Sequence, residues 1–448
     1  MHPTGPTCRL LRRLTTGVVA LAVGLSTALG VASPAHADNP VTPGDFTGYG
    51  FDQCLAPTQS AMDTWWLTSP FTGVGIYVSG ASRACTSQPN LTPTWISKQL
   101  AAGWRLLPIT LGPQAWCTTR DRYLHQVRID WHPADNYGAA RRQGRAEAEK
   151  TVAATRKLGI ARGSTQWYDI EAFDTSRTDC RESAKWFLHS WSRRLHEFGY
   201  VSGVYSSAAS GIKMLDDARV NTPGRFTLPD QLWIADWNRN ADVFSSYVRN
   251  DGWMPHKRVH QYRGGQPETF GGVTINIDRN WLDLGRGSVA PTEAKHCGGA
   301  AVYNYASYAN LQRGTTRTDQ VRALQCMLQG RGVYNGAIDG KYGDATVAAV
   351  RAYRKSIGWQ ASDTWSRHIW MQLMTVGPKP VVKYGSARSA VRKVQRALNA
   401  SGVSQLTVTG VMTRTTVDAV KRYQGRLGIR QYGVVTPGTW RALNAGRF

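Results

Sequence analysis

Gln166-Trp167-Tyr168-Asp169-Ile170-Glu171 is a short run of aromatic and β-branched residues that ends in two carboxylates. A run of this length and composition reads as a buried strand. Side chains two apart on a strand share a face, so Asp169 and Glu171 aim at one cavity. Working outward, segments of the same kind lie at 49–52, 73–78, 105–110, 202–205, 232–236, 258–262 and 273–278. Helical patterns fall between several of them. The clearest is 137–158, rich in Ala, Glu and Arg; in 181–198, Trp186, Phe187, Leu188, Trp191 and Leu195 make one apolar face. Eight strands interleaved with helices across residues 38–285 predict an α/β fold, a (β/α)8-type barrel with some helices missing.

Barrels of this kind carry their chemistry where strands end and loops begin. Asp52, Asp169, Glu171, Asp236 and Asp278 all sit at proposed strand ends. A lone acid there is ordinarily a solvated strand end. Several converging ones cost desolvation unless a site uses or pairs them. Close carboxylates drive their pKa values apart, leaving one protonated beside an ionised partner, and glycosidic cleavage needs that pairing. Tyr205, Trp233, Trp237, Gln261, Tyr262 and Trp281 are candidate sugar contacts, because aromatic faces stack on pyranose rings and an amide bonds hydroxyls. Core packing is the competing assignment, strongest for Trp233. Glu147, Glu149, Glu182 and Glu197 lie on helices and read as solvated partners for Arg.

The ordered set Gly50-Phe51-Asp52, Tyr168-Asp169-Ile170-Glu171, Gly203-Val204-Tyr205-Ser206, Leu232-Trp233-Ile234-Ala235-Asp236-Trp237, His260-Gln261-Tyr262 and Ile277-Asp278-Arg279-Asn280 spans 48–285. It resembles the glycoside hydrolase family 25 lysozymes, and more closely a secreted actinobacterial branch of glycoside-hydrolase-like barrels. The resemblance implies that Glu171 is the general acid. It implies that Asp169 orients a substrate acetamido group or stabilises charge, and that Asp52 and Asp278 complete an acidic floor. Two departures stand out. The lysozymes carry a Ser two residues after the strand-one Asp, where this chain has Cys54. Their position equivalent to Asp236 is usually not acidic.

The C-terminal third is duplicated. Val321-Arg322-Ala323-Leu324-Gln325 matches Val391-Arg392-Lys393-Val394-Gln395 seventy residues on. The same offset pairs Gly340 with Gly410, Thr346 with Thr416, Tyr353 with Tyr423 and Trp370 with Trp440. Each copy reads as a small three-helix all-α unit, at residues 300–376 and 379–448, after a Gly/Ser/Pro/Thr-containing linker at 286–299. Asp339-Gly340-Lys341-Tyr342-Gly343 and the closing Trp and Leu resemble the peptidoglycan-binding domain type 1 family. That resemblance implies binding to wall glycan and peptide stem. Copy two departs, with Thr409-Gly410-Val411-Met412-Thr413 in place of the Asp-Gly turn.

The rest of the composition agrees. Arg9, Arg12 and Arg13, an apolar run from Val18 to Ala28, and Ala35-His36-Ala37 make residues 1–37 a predicted secretory signal peptide, with Arg12-Arg13 a weak pointer to the twin-arginine route. Six Cys follow it: Cys54, Cys85, Cys117, Cys180, Cys297 and Cys326. An even count in an exported chain predicts disulfides. Fifteen pairings are open; Cys54–Cys85, Cys117–Cys180 and Cys297–Cys326 are preferred because they keep each bridge local. Their spacings fit no metal site, and no cofactor is expected.

Residues 300–448 hold 22 Lys and Arg against 5 Asp, whereas 38–299 hold 29 against 25 acids. Such a field favours a polyanion. With an export signal and no nucleic-acid motif, peptidoglycan or an anionic wall polysaccharide is the expected partner. The mature chain is expected to be secreted or wall-associated, without membrane insertion, and monomeric. The preferred function is a wall-tethered glycosidase. A non-catalytic glycan binder is the main alternative, and an amidase or peptidase the least favoured.

Overall fold

In the computed structural model, which describes residues 39–448, eight strands close a barrel in chain order. They are β1 (Phe46–Asp52), β2 (Gly73–Ser79), β3 (Arg105–Thr110), β4 (Thr165–Asp169), β5 (Val201–Ser207), β6 (Gln231–Ala235), β7 (Lys257–Phe270) and β8 (Val273–Leu284). The expected signal peptide lies outside the described residues. Crossover helices α1 (Gln59–Thr68), α2 (Pro93–Ala102), α3 (Asp121–Leu124), α4 (Ala134–Lys157), α5 (Thr178–Glu197) and α6 (Lys213–Asn221) follow the first five strands. Several have clear starting signals: Thr58 and Thr92 cap α1 and α2 through their hydroxyls, and Pro93 opens α2.

Helices are missing after β6 and β7, and one consequence departs from the all-parallel expectation. β1 to β7 pair in parallel, but β8 runs antiparallel to both β7 and β1. Phe270-Gly271-Gly272-Val273 turns the chain directly, and both glycines have positive φ, which a tight reversal requires. Asp278 therefore does not end its strand. It lies within β8, which descends past the mouth, and faces Asp52 across the ladder.

The barrel interior is filled by Phe46, Leu107, Ile109, Trp167, Trp233, Val259, Leu282 and Leu284. Gly203 faces Trp167 across β4 and β5, and a Cβ there would meet the indole at 2.4 Å. Outside the barrel, Tyr168 packs on Phe187 and Trp191 of α5.

Three disulfides are present: Cys54–Cys85, Cys117–Cys180 and Cys297–Cys326. The first ties the loop after β1 to the loop after β2. The second ties the loop after β3 to the start of α5. Replacing Cys54 and Cys85 by Ala opens a 31-residue loop. Loop-closure entropy sets the expected loss near 3–4 kcal/mol, read as a lower denaturant midpoint of the barrel. No loss would mean that those loops are already ordered without the bridge.

The C-terminal third comprises α7 (Thr318–Gln329), α8 (Asp344–Ser356) and α9 (Arg367–Met374), then α10 (Ser389–Ser401), α11 (Arg414–Arg426) and α12 (Pro437–Asn444). Much of the repeated motif builds this fold. Gln325 accepts from Gly340 N–H and donates to Asp339 and Thr346, while Gln395 accepts from Gly410 N–H and donates to Thr409 and Thr416. Thr409 thus takes over the acceptor role of Asp339. One apolar cluster, including Leu324, Trp370, Leu398 and Trp440, runs through both copies.

Residues 286–299 do not run free as a linker. Arg286 pairs with Asp45, and Glu293 pairs with Arg396 and His296. The second repeat also docks on the barrel. Lys383 is fully buried, donates to the Trp66 carbonyl at 3.0 Å, and lies over the Trp66 and Trp104 rings. Tyr384 packs edge-on against Tyr49 and Trp281.

Candidate active site

β4 explains how both carboxylates reach one cavity. Along it, Trp167 points into the barrel, Tyr168 outward and Asp169 inward. The strand ladder stops at Asp169, yet the alternation continues: Ile170 joins the outer core and Glu171 turns back toward the pocket. Gln114 braces this exit on both sides. Its amide donates to the Asp169 carbonyl at 2.8 Å and accepts from Glu171 N–H at 2.7 Å.

Asp52, Asp169, Glu171 and Asp278 line a single cavity of about 190 Å³, together with Gln53, Tyr77, Arg83, Arg122, Tyr123 and the Cys54–Cys85 bridge. Asp52 and Asp278 are joined by one amide. Gln261 donates to Asp52 Oδ1 at 3.2 Å and to Asp278 Oδ2 at 3.3 Å. Asn280 adds a 2.6 Å bond to Asp52, and Gly265 N–H donates to Asp278. Gly75 makes room, since a Cβ there would meet the Asp52 Cβ at 2.6 Å. Asp169 is buried; Tyr77 donates to its Oδ2 at 3.4 Å, while its Oδ1 has no partner among the described residues. Glu171 is nearer the rim, with Arg120 at 3.1 Å and the Tyr123 hydroxyl at 3.5 Å.

Burial raises all four acids. For Asp52, burial and then the neighbouring Asp278 push the carboxyl up to about 8, against the hydrogen bonds of Asn280 and Gln261. Burial and the charges of Glu171 and Asp52 raise Asp169 well above the ordinary carboxylate range. Glu171 is raised by burial, while Arg120 and Arg122 hold it back. Asp278 is raised by burial and opposed by the Gly265 amide. The pocket is thus a cluster of carboxyl groups poised to hold protons, with two arginines at its rim.

The other sequence candidates divide. Gln261 is buried between the acids, and Tyr205 donates to its Oε1 at 3.0 Å. Trp237, 63% exposed, donates to the same oxygen at 3.0 Å and stands at the mouth. Trp233 is not a surface platform: it is buried in the barrel and donates to Asn280 at 2.8 Å. Asp236 follows β6 but accepts from Ser245 at 2.7 Å, turned into the next loop. Tyr262 is buried, opposite in facing to Gln261 beside it. Trp281 alternates out of the barrel, where Tyr49 and Tyr384 cover it.

Tyr77, Arg120, Arg122, Tyr123, Gln114 and Asn280 escaped the sequence reading. Asn280 was accessible to it, lying two residues from Asp278 on one strand face. The loop residues carried no periodic signal. Among the described residues no group of acids, His and Cys is arranged to hold a metal ion, and no helix is long and apolar enough to cross a membrane.

Residues 63–282 match the Rv2525c-like, glycoside hydrolase-like domain, and residues 317–362 and 387–443 match the putative peptidoglycan-binding domain. No curated protein matches this chain. Among solved structures it is similar to the Mycobacterium tuberculosis Tat-secreted protein Rv2525c, at 16% identity over 54% of this chain and 97% of that one, with a TM-score of 0.35. A family 25 glycosyl hydrolase from Bacillus anthracis aligns at 12% identity over 57% of this chain and 96% of its own, with a TM-score of 0.30. The Clostridium perfringens spore cortex lytic enzyme SleM aligns at 15% identity over 53% and 67%, with a TM-score of 0.34.

Proposed function

We propose that this chain, which carries an Rv2525c-like glycoside hydrolase-like barrel and two peptidoglycan-binding domains, hydrolyses a glycosidic bond of peptidoglycan or a related wall polysaccharide. The observation that carries this reading is the single pocket holding Asp52, Asp169, Glu171 and Asp278. Three disulfides and the basic repeats fit an extracellular or wall-bound location.

In this reading Glu171, raised by burial, protonates the glycosidic oxygen as the bond to the anomeric carbon breaks. The substrate's 2-acetamido oxygen bonds to that carbon. Asp169 Oδ1, which has no partner among the described residues, accepts the acetamido N–H and aligns it. Water then adds to the anomeric carbon as its bond to the acetamido oxygen breaks, and gives its proton to Glu171. Asp52 and Asp278, bridged by the Gln261 amide, form the floor, with Tyr205 and Trp237 as sugar contacts. Direct attack by a water with Asp278 or Asp52 as base is the competing route. Retention of the product anomer excludes it.

One observation favours a second reading. Arg120 and Arg122 beside Glu171 stabilise its ionised form, as suits a barrel that holds a glycan without cutting it. Purified protein incubated with wall sacculi separates the two. New reducing ends support hydrolysis; sedimentation with sacculi and no soluble product overturns it in favour of binding.

A further inference from the structure

At the end of the barrel away from the acidic pocket, the junction with the second repeat encloses a cleft of about 450 Å³. Arg105, the first residue of β3, and Arg388, the residue before α10, face it from the barrel and the repeat respectively. Arg105 spends one N–H on the Pro43 carbonyl at 3.1 Å, leaving most of its five-donor fork. Among the described residues the Arg388 guanidinium has no hydrogen-bond or ion-pair partner; its backbone N–H donates to the Gly410 carbonyl and its carbonyl accepts from Val391 N–H. Burial and then the charge of Arg388 depress Arg105, against the opposing charge of Asp45.

A second feature is independent of the arginines. The start of α10 is alongside, with no capping side chain and no acid in its first turn. The cleft contains one carboxylate, Asp45, which is engaged by the backbone and guanidinium of Arg286.

We propose that this junction cleft binds an oxyanion carried by an anionic wall polymer, with Arg105 and Arg388 as a two-sided clamp. A planar guanidinium fork suits a phosphate or carboxylate oxygen pair. The site exists only where barrel and second repeat meet, so an occupied cleft strengthens their docking by linkage. It is separate from the acidic pocket and holds whether or not that pocket cuts glycan.

The test titrates the full mature chain with inorganic phosphate and, separately, acetate, against chloride at matched ionic strength. Binding is followed by calorimetry and unfolding temperature. Saturable binding beyond chloride is expected, weakened roughly ten- to a hundred-fold in Arg388→Ala and partly restored in Arg388→Lys. Arg388 is exposed, so both variants keep the fold. Preference for phosphate assigns a phosphodiester polymer as the source, and preference for acetate a carboxylate polymer. No binding beyond chloride, or equal binding by wild type and Arg388→Ala, overturns the proposal.

Discussion

Glu171→Gln is expected to lower release of reducing ends from sacculi by about 10²–10⁴-fold, the usual contribution of a positioned general acid. Wall sedimentation should be unchanged, because the peptidoglycan-binding repeats end far along the chain from this pocket. The substitution keeps the shape of the side chain and removes only its proton and charge. The ion pair lost with it involves a half-exposed Arg120, and such pairs contribute about 0–1 kcal/mol. Stability should therefore stay within about 1 kcal/mol of wild type, separating chemistry from folding. Wild-type activity should also fall on the alkaline side as Glu171 loses its proton, since burial raises its pKa. Full turnover by Glu171→Gln would remove this residue from the reaction and send the search for the acid to Asp169 or Asp52.

The second large effect is on stability against pH. Asp52 moves from an ordinary 3.8 to about 8 on folding. Between those values the native state holds a proton that the unfolded chain has released. The native preference conferred by that proton is complete below pH 3.8 and disappears as pH rises toward about 8. The slope from one such group reaches about 1.4 kcal/mol per pH unit. Asp169, Glu171 and Asp278 are raised too and act in the same direction. Asp45, Asp217 and Glu293 are lowered by their arginine and lysine partners; their contribution is present above the ordinary carboxylate range and is lost toward acid.

Asp52→Asn isolates one member of this balance. Below pH 3.8 wild type and variant should share one pH dependence, because the Asp52 carboxyl is protonated in the folded and the unfolded chain alike. From pH 5 to pH 8 the variant should gain steadily on wild type in unfolding free energy, by up to the slope given above. Denaturant midpoints at a series of pH values measure the difference. A gap that stays flat with pH would mean that Asp52 is ionised in the native protein, leaving Gln261 and Asn280 to compensate a buried charge.

Much of this was legible before folding. The alternation in 166–171 survives past the end of β4, and for that reason Asp169 and Glu171 reach the same cavity. The seventy-residue offset of the repeats reappears as matched hydrogen bonds around Gln325 and Gln395. The preferred disulfide partners are the ones that bond. Aromatic side chains were harder. Trp233, Tyr262 and Trp281 lie on strands beside true pocket residues, and a type-by-type reading could not tell an inward indole in the core from one at the mouth.

Period and composition by themselves determined where strands and helices fall, which residues alternate to a common face, and that the last third is a duplicated basic unit. These are local properties, set by backbone geometry within a few residues. Closure decided the rest. The short Gly271-Gly272 turn reverses β8 and brings Asp278 opposite Asp52. Packing seats Lys383 under Trp66 and Trp104, covers Trp281 with Tyr384, and carries Arg120, Arg122 and Tyr123 over the acids. Those contacts join residues tens to hundreds of positions apart. Strand direction, loop path and domain docking depend on the whole set of buried surfaces at once, and no local pattern encodes them.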